Sequence, residues 1–202
     1  VDIVANSAGG SRPLPLDELE RRRFMAGNPA QFQGDERDIV FLSMVDAPSG
    51  EVLALQEIGS SNALLDLRSA LKAEGLDYPH SEFVHGFDTN IHVAILSQFP
   101  IVARRSHPHE GFLLDGRRFR FSRGFAEVDI EVNPRYRFTL LVAHLKSRRP
   151  VPEADEADLR EQEALILREK IDARLNANPN LNLVVVGDLN DCHVKLVKLK
   201  GE

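Results

Sequence analysis

The sequence has one cysteine and no long apolar run, and each absence narrows what the protein can be. A lone Cys192 excludes a disulfide within the chain, although the lack of bridges does not fix the compartment. No stretch approaches the roughly 18 consecutive apolar residues that a membrane span needs, and the N-terminus lacks a basic segment followed by an apolar one. We therefore expect a soluble protein, with the cytoplasm as the default compartment and secretion left open.

Positive charge is also in short supply. The chain carries 31 acidic and 25 basic residues, a net charge of -6. A protein that holds nucleic acid mainly by neutralising phosphates needs a basic surface, so this balance argues against tight, sequence-independent DNA binding. Arginine and lysine nevertheless gather at 117–123 and 146–149. Each stretch is either a local basic surface or an ordinary solvated face.

Length and composition predict a single domain. With 202 residues and 43% apolar content, the chain can bury one substantial core but has little room for a second. It contains no internal repeat, low-complexity segment or credible linker. Residues 1–34 hold much of the Gly, Pro, Asn and Gln, which indicates a loop-rich entry. We expect one α/β domain over 1–202.

The first half of the chain predicts two helices around a strand. Asp35 would cap the first helix, which Pro48-Ser49-Gly50 would end. A short buried strand is expected over 52–56, and Ser61 would cap a second helix that ends at Gly75. The apolar positions at helical spacing are Ile39, Leu42 and Val45 in the first helix, and Leu64, Leu65, Leu67 and Leu71, expected to face inward, in the second.

The second half predicts consecutive strands, then a helix and a final strand. Consecutive strands favour antiparallel neighbours, and the mixture with a strand–helix–strand unit favours layers of helix and sheet around one core. A long amphipathic helix over 155–175 carries Leu159, Leu165, Ile166, Ile171 and Leu175. The predicted strands are 91–96, 101–103, 119–121, 126–132, 137–143 and 183–186.

Three of the strand-like runs end in polar residues. These residues are Gln56-Glu57, His144, and Gly187-Asp188-Leu189-Asn190-Asp191. If the three strands lie side by side and point the same way, their carboxyl ends share one cleft. Carboxylates are the hard ligands that Mg²⁺ prefers, and an imidazole and an amide beside them can donate hydrogen bonds to a phosphoryl oxygen. The pattern favours oxyanion chemistry.

These groups resemble the three ordered signatures of the endonuclease/exonuclease/phosphatase superfamily, the magnesium-dependent, DNase I-like enzymes. The segments 93–97 and 99–101 also resemble the family sequence between the first two signatures, so the resemblance covers about residues 35–191. It implies a four-layered α/β sandwich, with two packed mixed β-sheets flanked by helices. It also implies metal-assisted hydrolysis of a phosphate ester.

The resemblance implies a role for each signature residue. Glu57 would bind Mg²⁺, for which Mn²⁺ could substitute, and His144 would donate a hydrogen bond to the phosphate. Asp188 would orient or deprotonate the attacking water, and Asn190 would contact the oxyanion. The metal would polarise the phosphoryl oxygen and stabilise the leaving group.

Five further residues enter the candidate site. Lys146 and Arg148 follow His144 closely and are expected to contact substrate phosphates. Asp88 stands where some relatives carry a substrate-contacting acid, and Arg123 either reaches a phosphate or pairs with an acidic side chain. Asn6, in a segment that resembles the family's first strand only loosely, would support the metal.

The C-terminal part departs from the family pattern. Relatives continue through further strands to an Asp-His pair, whereas here only residues 192–202 follow the third signature. His193 comes too early to be the closing histidine, and Val194 to Lys200 alternates like an edge strand. We therefore expect truncated C-terminal strands, weakened catalysis, and a homodimer through an exposed sheet edge.

Three functions stay open at this point. The first is a phosphodiesterase acting on nucleic acid, and the second a phosphatase for small or lipid-linked phosphates. The third is a catalytically impaired domain that binds phosphate without turnover. A zinc centre is not supported by any paired-cysteine or H-E-x-x-H signature, so we expect surface or hydrogen-bonding roles for His80, His85, His92, His107 and His109.

Overall fold

Ten strands and two helices build the part of the chain that the computed structural model describes, namely residues 51–190 and the strand at 40–41. None of the helices in this part is long and apolar enough to cross a membrane. In chain order the elements are β1 Val40–Phe41, β2 Val52–Ile58, α1 Ser61–Ala73, β3 His80–Val84, β4 His92–Ser97, β5 Ile101–Arg104, β6 Gly111–Leu114, β7 Arg117–Arg120, β8 Phe125–Asn133, β9 Tyr136–His144, α2 Glu156–Ala177 and β10 Leu183–Asp188.

The strands form two four-stranded sheets and a separate hairpin. Sheet A has the order β1-β2-β4-β3, and all of its neighbours are antiparallel. Sheet B has the order β10-β9-β8-β5 and is mixed, because β10 runs parallel to β9 while the other pairs are antiparallel. Strands β6 and β7 pair only with each other. The expected mixed character therefore lies in sheet B.

Three apolar clusters show that the described elements stack in four layers. The first cluster joins the two sheets, since it combines Val52 and Ile95 of sheet A with Val128 and Leu140 of sheet B. The second packs α1 on the outer face of sheet A. The third packs α2 on the outer face of sheet B. The order α1, sheet A, sheet B, α2 is the predicted four-layered α/β sandwich.

Local sequence explains where the helices begin and which faces they bury. The Ser60 hydroxyl accepts from the N–H of Ala63, so the N-cap of α1 lies one residue before the predicted Ser61. Asp155 caps α2 as predicted and accepts from the N–H of Ala157. Two leucines expected on apolar stripes are wrong, because Leu65 is 53% and Leu165 50% exposed.

The first predicted helix is contradicted within the described residues. Val40 and Phe41 form β1 and pair antiparallel with Gln56 and Leu55 of β2. Helical spacing of apolar residues lost to backbone pairing along the edge of a buried strand. Strands β3 and β6 were not predicted, because β3 begins with polar residues and β6 is a short hairpin arm. The expectations for 1–39 and 191–202 lie outside the described residues.

A buried carboxylate joins sheet B to α2. Glu127 of β8 is fully buried and accepts hydrogen bonds from Arg105 Nε at 2.9 Å and Arg174 Nε at 2.6 Å. Its other oxygen lies 2.8 Å from Nε2 of His107, and Arg105 also pairs with Asp129. Burial alone would raise the pKa of Glu127, but the bonds from these three side chains lower it to about 2.

Acid should therefore weaken the fold through Glu127. Its pKa in the folded chain, about 2, lies below the unfolded value of 4.5, so its contribution is complete above pH 4.5 and is lost as the pH falls towards 2. The loss amounts to at most about 3 kcal/mol. Urea unfolding between pH 7 and 3 measures it. In Glu127→Gln this part of the pH dependence should disappear, and an unchanged slope would contradict the assignment.

Candidate functional site

Parallel pairing of β9 with β10 brings two of the predicted residues together. The register sets Asp188 beside His144 at the carboxyl ends of the two strands. The strands approach closely at Gly187, which has a φ of +142° and where a Cβ would lie 1.8 Å from the carbonyl oxygen of Ala143. Glycine is required here because any side chain would collide with that backbone. The third signature thus owes its glycine to the packing of the strands that carry the site.

Glu57 reaches the same place from the other sheet. We predicted that the three signature strands lie side by side, but β2 belongs to sheet A and contacts β9 and β10 across the sandwich. A register shift between Leu55 and Ile58 places Glu57 at a φ of +56°. Such a bulge turns a side chain away from the regular strand direction. Oε1 of Glu57 lies 3.8 Å from Nε2 of His144.

Glu57 sits among like charges. Burial raises its pKa, and the carboxylates of Asp188 and Asp88 raise it further, while the Arg123 guanidinium opposes them. Asp88 is held by its own turn, where its carboxylate accepts from the N–H groups of Asn90 and Ile91 at 2.9 and 3.2 Å. The structure therefore places two predicted acids, Asp88 and Asp188, in the electrostatic surroundings of Glu57.

His144 is buried and neutral at neutral pH. It is 1% exposed, and burial together with the charge of Arg123 holds its pKa well below the ordinary value. Its Nδ1 makes no hydrogen bond to the residues that the structure describes. A neutral imidazole has one donor and one acceptor nitrogen. His144 is thus suited to donate one hydrogen bond to an anionic oxygen without bringing a full positive charge.

The carbonyl of Leu145 is the point on which the polar side chains converge. It accepts from Nδ2 of Asn190 at 2.8 Å and from a terminal nitrogen of Arg123 at 3.2 Å. The N–H of Leu145 donates to the carbonyl of Asp188 at 2.9 Å. Asn190, at a φ of +53°, also donates its N–H to the Asp188 carboxylate at 2.8 Å. One peptide therefore ties together the residues that follow β9 and β10.

Several predicted substrate contacts have different surroundings in the structure. Lys146 Nζ donates to the carbonyls of Ser147 and Arg149 at 3.0 and 2.8 Å, so the ammonium braces its own loop. Burial and Arg123 lower the pKa of Lys146. Arg148 is exposed. Arg123 is 7% exposed and borders Glu57, whereas Asn6 lies outside the described residues.

Two site residues were given no role by the sequence reasoning. Gln56 is 1% exposed, and neither of its amide atoms bonds to another described residue. It follows Val52 and Ala54 on the inward face of β2, so a polar residue in that alternation was the available signal. Glu163 of α2 is 2% exposed and accepts from the N–H of Lys146 at 2.6 Å. Its signal was a carboxylate on the apolar stripe that includes Leu159.

The donor set fits a hard divalent cation. Within residues 51–190 no group of three His, Cys, Asp or Glu side chains is arranged as a complete metal centre. Mg²⁺ does not need one, because it keeps several waters and binds through one or two carboxylates together with substrate phosphates. Repulsion between Glu57 and its acidic neighbours would be relieved by a cation. Buried atoms of Gln56, Arg123 and His144 also lack partners among the described residues.

Comparison with known proteins places this geometry in context. The sequence pattern described as "Endonuclease/Exonuclease/phosphatase family" matches residues 15–197. No curated protein sequence matches the chain. Among solved structures, sphingomyelinase C from Streptomyces griseocarneus is similar with a TM-score of 0.51 at 21% identity, covering 70% of this chain and 52% of that one.

A second solved structure is similar to the same extent. It is a β-hairpin deletion mutant of beta toxin from Staphylococcus aureus, with a TM-score of 0.50, 20% identity, and coverage of 70% of this chain and 54% of that one. The chain spans about half the length of both structures. At this identity the likeness concerns the fold alone. Together with the family match over most of the sequence, it shows that the chain belongs to the endonuclease/exonuclease/phosphatase family and has the DNase I-like fold.

Proposed function

We propose that the protein hydrolyses phosphodiester bonds with a divalent cation, Mg²⁺ or Mn²⁺, and that nucleic acid is its substrate. The observation that carries the proposal is the convergence of Glu57 from sheet A with His144, Asp188 and Asn190 from sheet B. Family membership supports the reaction class. A fold shared by enzymes with many substrates does not select one, so the substrate needs its own argument.

In this proposal Glu57 holds the cation, with Asn6 as its second support. The bound cation supplies Lewis-acid polarisation of a phosphoryl oxygen. The raised pKa of Glu57 is consistent with this role, because neighbouring carboxylates penalise its negative charge until a cation compensates it. Asp88 adds to the negative potential at the same position while its carboxylate holds its own turn.

The remaining residues act on water and on developing charge. Asp188 orients the attacking water and accepts its proton; its carboxylate is fixed by the N–H of Asn190. Asn190 has two amide hydrogens, of which one is used by Leu145, so the other can stabilise an oxyanion. His144 donates from its neutral ring. Arg123 supplies the buried positive charge beside them, and preorganised groups of this kind are the main source of such catalysis.

Hydrolysis of a chromogenic phosphodiester tests metal, reaction and site together. We expect turnover with Mg²⁺, none with EDTA, and a fall in kcat of about a hundredfold to a thousandfold in Asp188→Asn. Glu57→Gln should weaken activation by Mg²⁺. Asp66→Asn, on the exposed surface of α1, is the matched control and should leave kcat unchanged.

The outcome also separates catalysis from binding alone. Turnover that survives EDTA, or that is equal in Asp188→Asn and Asp66→Asn, would contradict the assigned site. No turnover by the folded wild-type chain on any phosphodiester, combined with binding of inorganic phosphate, would favour the impaired phosphate-binding domain.

The β6–β7 hairpin supports a polyanionic substrate. Its outward face carries Arg118 and Arg120, both exposed, on a chain whose net charge is -6. The Arg120 guanidinium lies 4.6 Å from the ring centroid of Phe87, the residue before Asp88. The N–H of Asp88 donates to the carbonyl of Ser122 at 2.7 Å, so this face adjoins the wall of the site. Arginines in that position can contact phosphates flanking the scissile bond.

A lipid-linked phosphodiester is the second candidate, and one observation favours it. Leu113, opposite Arg118 in the hairpin, is 65% exposed. An exposed apolar side chain between arginines suits the interface of an anionic membrane. One of the similar solved structures is named a sphingomyelinase, but at 21% identity that name informs the fold and not the substrate.

Substitutions on the hairpin should distinguish the two substrates. If nucleic acid is the substrate, Arg118→Gln with Arg120→Gln raises KM for oligonucleotides and reduces the salt dependence of binding by up to about 0.7 to 0.9 per lost contact. Arg135→Gln, in the turn at the opposite end of β9, should change neither. If vesicle-borne phospholipid is hydrolysed instead and Leu113→Ser abolishes that activity, the lipid reading replaces the nucleic-acid reading.

A homodimer through the edge of sheet B is also part of the proposal. Among the described strands β10 lies at the edge of that sheet, and Val185 on it is 37% exposed. An uncovered strand offers unpaired backbone groups to a second copy. Light scattering should show a mass that rises with concentration, and Val185→Lys should reduce the rise. A constant monomer mass over a wide concentration range would exclude the dimer.

A further inference from the structure

Glu163 is a buried carboxyl group that the proposed reaction does not use. It lies on the face of α2 that packs against sheet B, between the turns that bury Leu159 and Ile166, and it is 2% exposed. Ionisable groups at such positions are rare unless they are paired or functional. The contact that accounts for it is the hydrogen bond from the N–H of Lys146 to Oε2 at 2.6 Å.

The peptide that Glu163 holds is the one that follows His144. Arg160, one turn earlier on α2, donates to the carbonyl of Lys146 at 3.2 Å. The N–H and the carbonyl of Lys146 are therefore both bound by the helix. On the other side, the neighbouring Leu145 is bound by Asp188, Asn190 and Arg123. The segment between β9 and its loop is thus fixed from two layers at once.

We propose that Glu163 is a positioning residue, which fixes the segment 144–146 so that His144, Asn190 and Arg123 keep their arrangement around the phosphoryl site. The inference rests on the proposed hydrolytic function of this site. Glu163 acts through the Lys146 peptide and does not touch the substrate. A carboxylate is a stronger acceptor than a neutral group, so its ionisation tightens the contact.

The charge state of Glu163 should change in the neutral range. Burial raises its pKa to about 7, against the opposing influence of the Lys146 N–H and of the charges on Arg123, Lys146 and Arg160. These four groups, from α2, from the loop after β9 and from the segment before β8, are the ones that face it. The contact with Lys146 should therefore be charge-assisted above pH 7 and weaker below it.

Amide NMR tests the arrangement without relying on activity. In wild type, we expect the N–H signals of Lys146 and Leu145 and the side-chain amide of Asn190 to titrate together with a midpoint near pH 7. In Glu163→Gln, which keeps the shape and removes the ionisation, all three should be flat. Glu161→Gln, exposed on the same helix, should titrate like wild type. If only the Lys146 signal moves, the contact is local and the positioning role is wrong.

Kinetics test whether the arrangement matters for turnover. Wild-type kcat should rise through pH 7, whereas Glu163→Gln should lack that rise and be lower by about threefold to tenfold at pH 8, with a midpoint of unfolding no lower than wild type. Equal kcat and pH profiles would overturn the proposal. A wild-type chain without hydrolytic activity would refute the proposed function, and the NMR titration would still decide whether Glu163 organises the site.

Discussion

The parallel pairing of β9 with β10 is the constraint on which the site depends. It sets Asp188 beside His144 without any bond between their side chains, and the pairing itself requires the close approach at Gly187. Because both strands end at the same level, the peptides that follow them can bind each other, and Leu145 becomes a shared acceptor. The polar geometry is therefore a consequence of strand register, and a shift by one residue would separate every pair in it.

Two buried glutamates on the α2 side of sheet B have opposite effects on the fold. Glu127 has three cationic or polar partners, and its pKa of about 2 means that ionisation stabilises the folded chain. Glu163 has a pKa of about 7, so its favourable contribution is present below pH 4.5 and is lost as the pH rises towards 7. Each shift corresponds to about 3 kcal/mol. A carboxyl group that costs stability at neutral pH, beside a catalytic segment, is more readily explained by function than by folding.

Most of the sheet B strands and both described helices could be predicted from the sequence, because apolar runs and capping residues act locally. The segment at 40–41 could not, since its helical spacing was overridden by pairing with Gln56 and Leu55. The site residues Glu57, His144 and Asp188 could be named because polar groups follow apolar runs. Their arrangement could not, because nothing local shows that β2 belongs to a different sheet from β9. Glu163 was missed because helical periodicity was read for apolar residues only.

The origin of Glu57 in the opposite sheet has a consequence for metal binding. Glu57 and Asp188 approach across the sandwich, and their repulsion raises the pKa of Glu57. A cation held there would join the carboxylate end of sheet A to that of sheet B, in addition to the apolar cluster between the sheets. Any binding that favours the folded chain stabilises it. Occupation of the site and packing of the two sheets are thus coupled, so the residues that hold the cation would also help to hold the layers together.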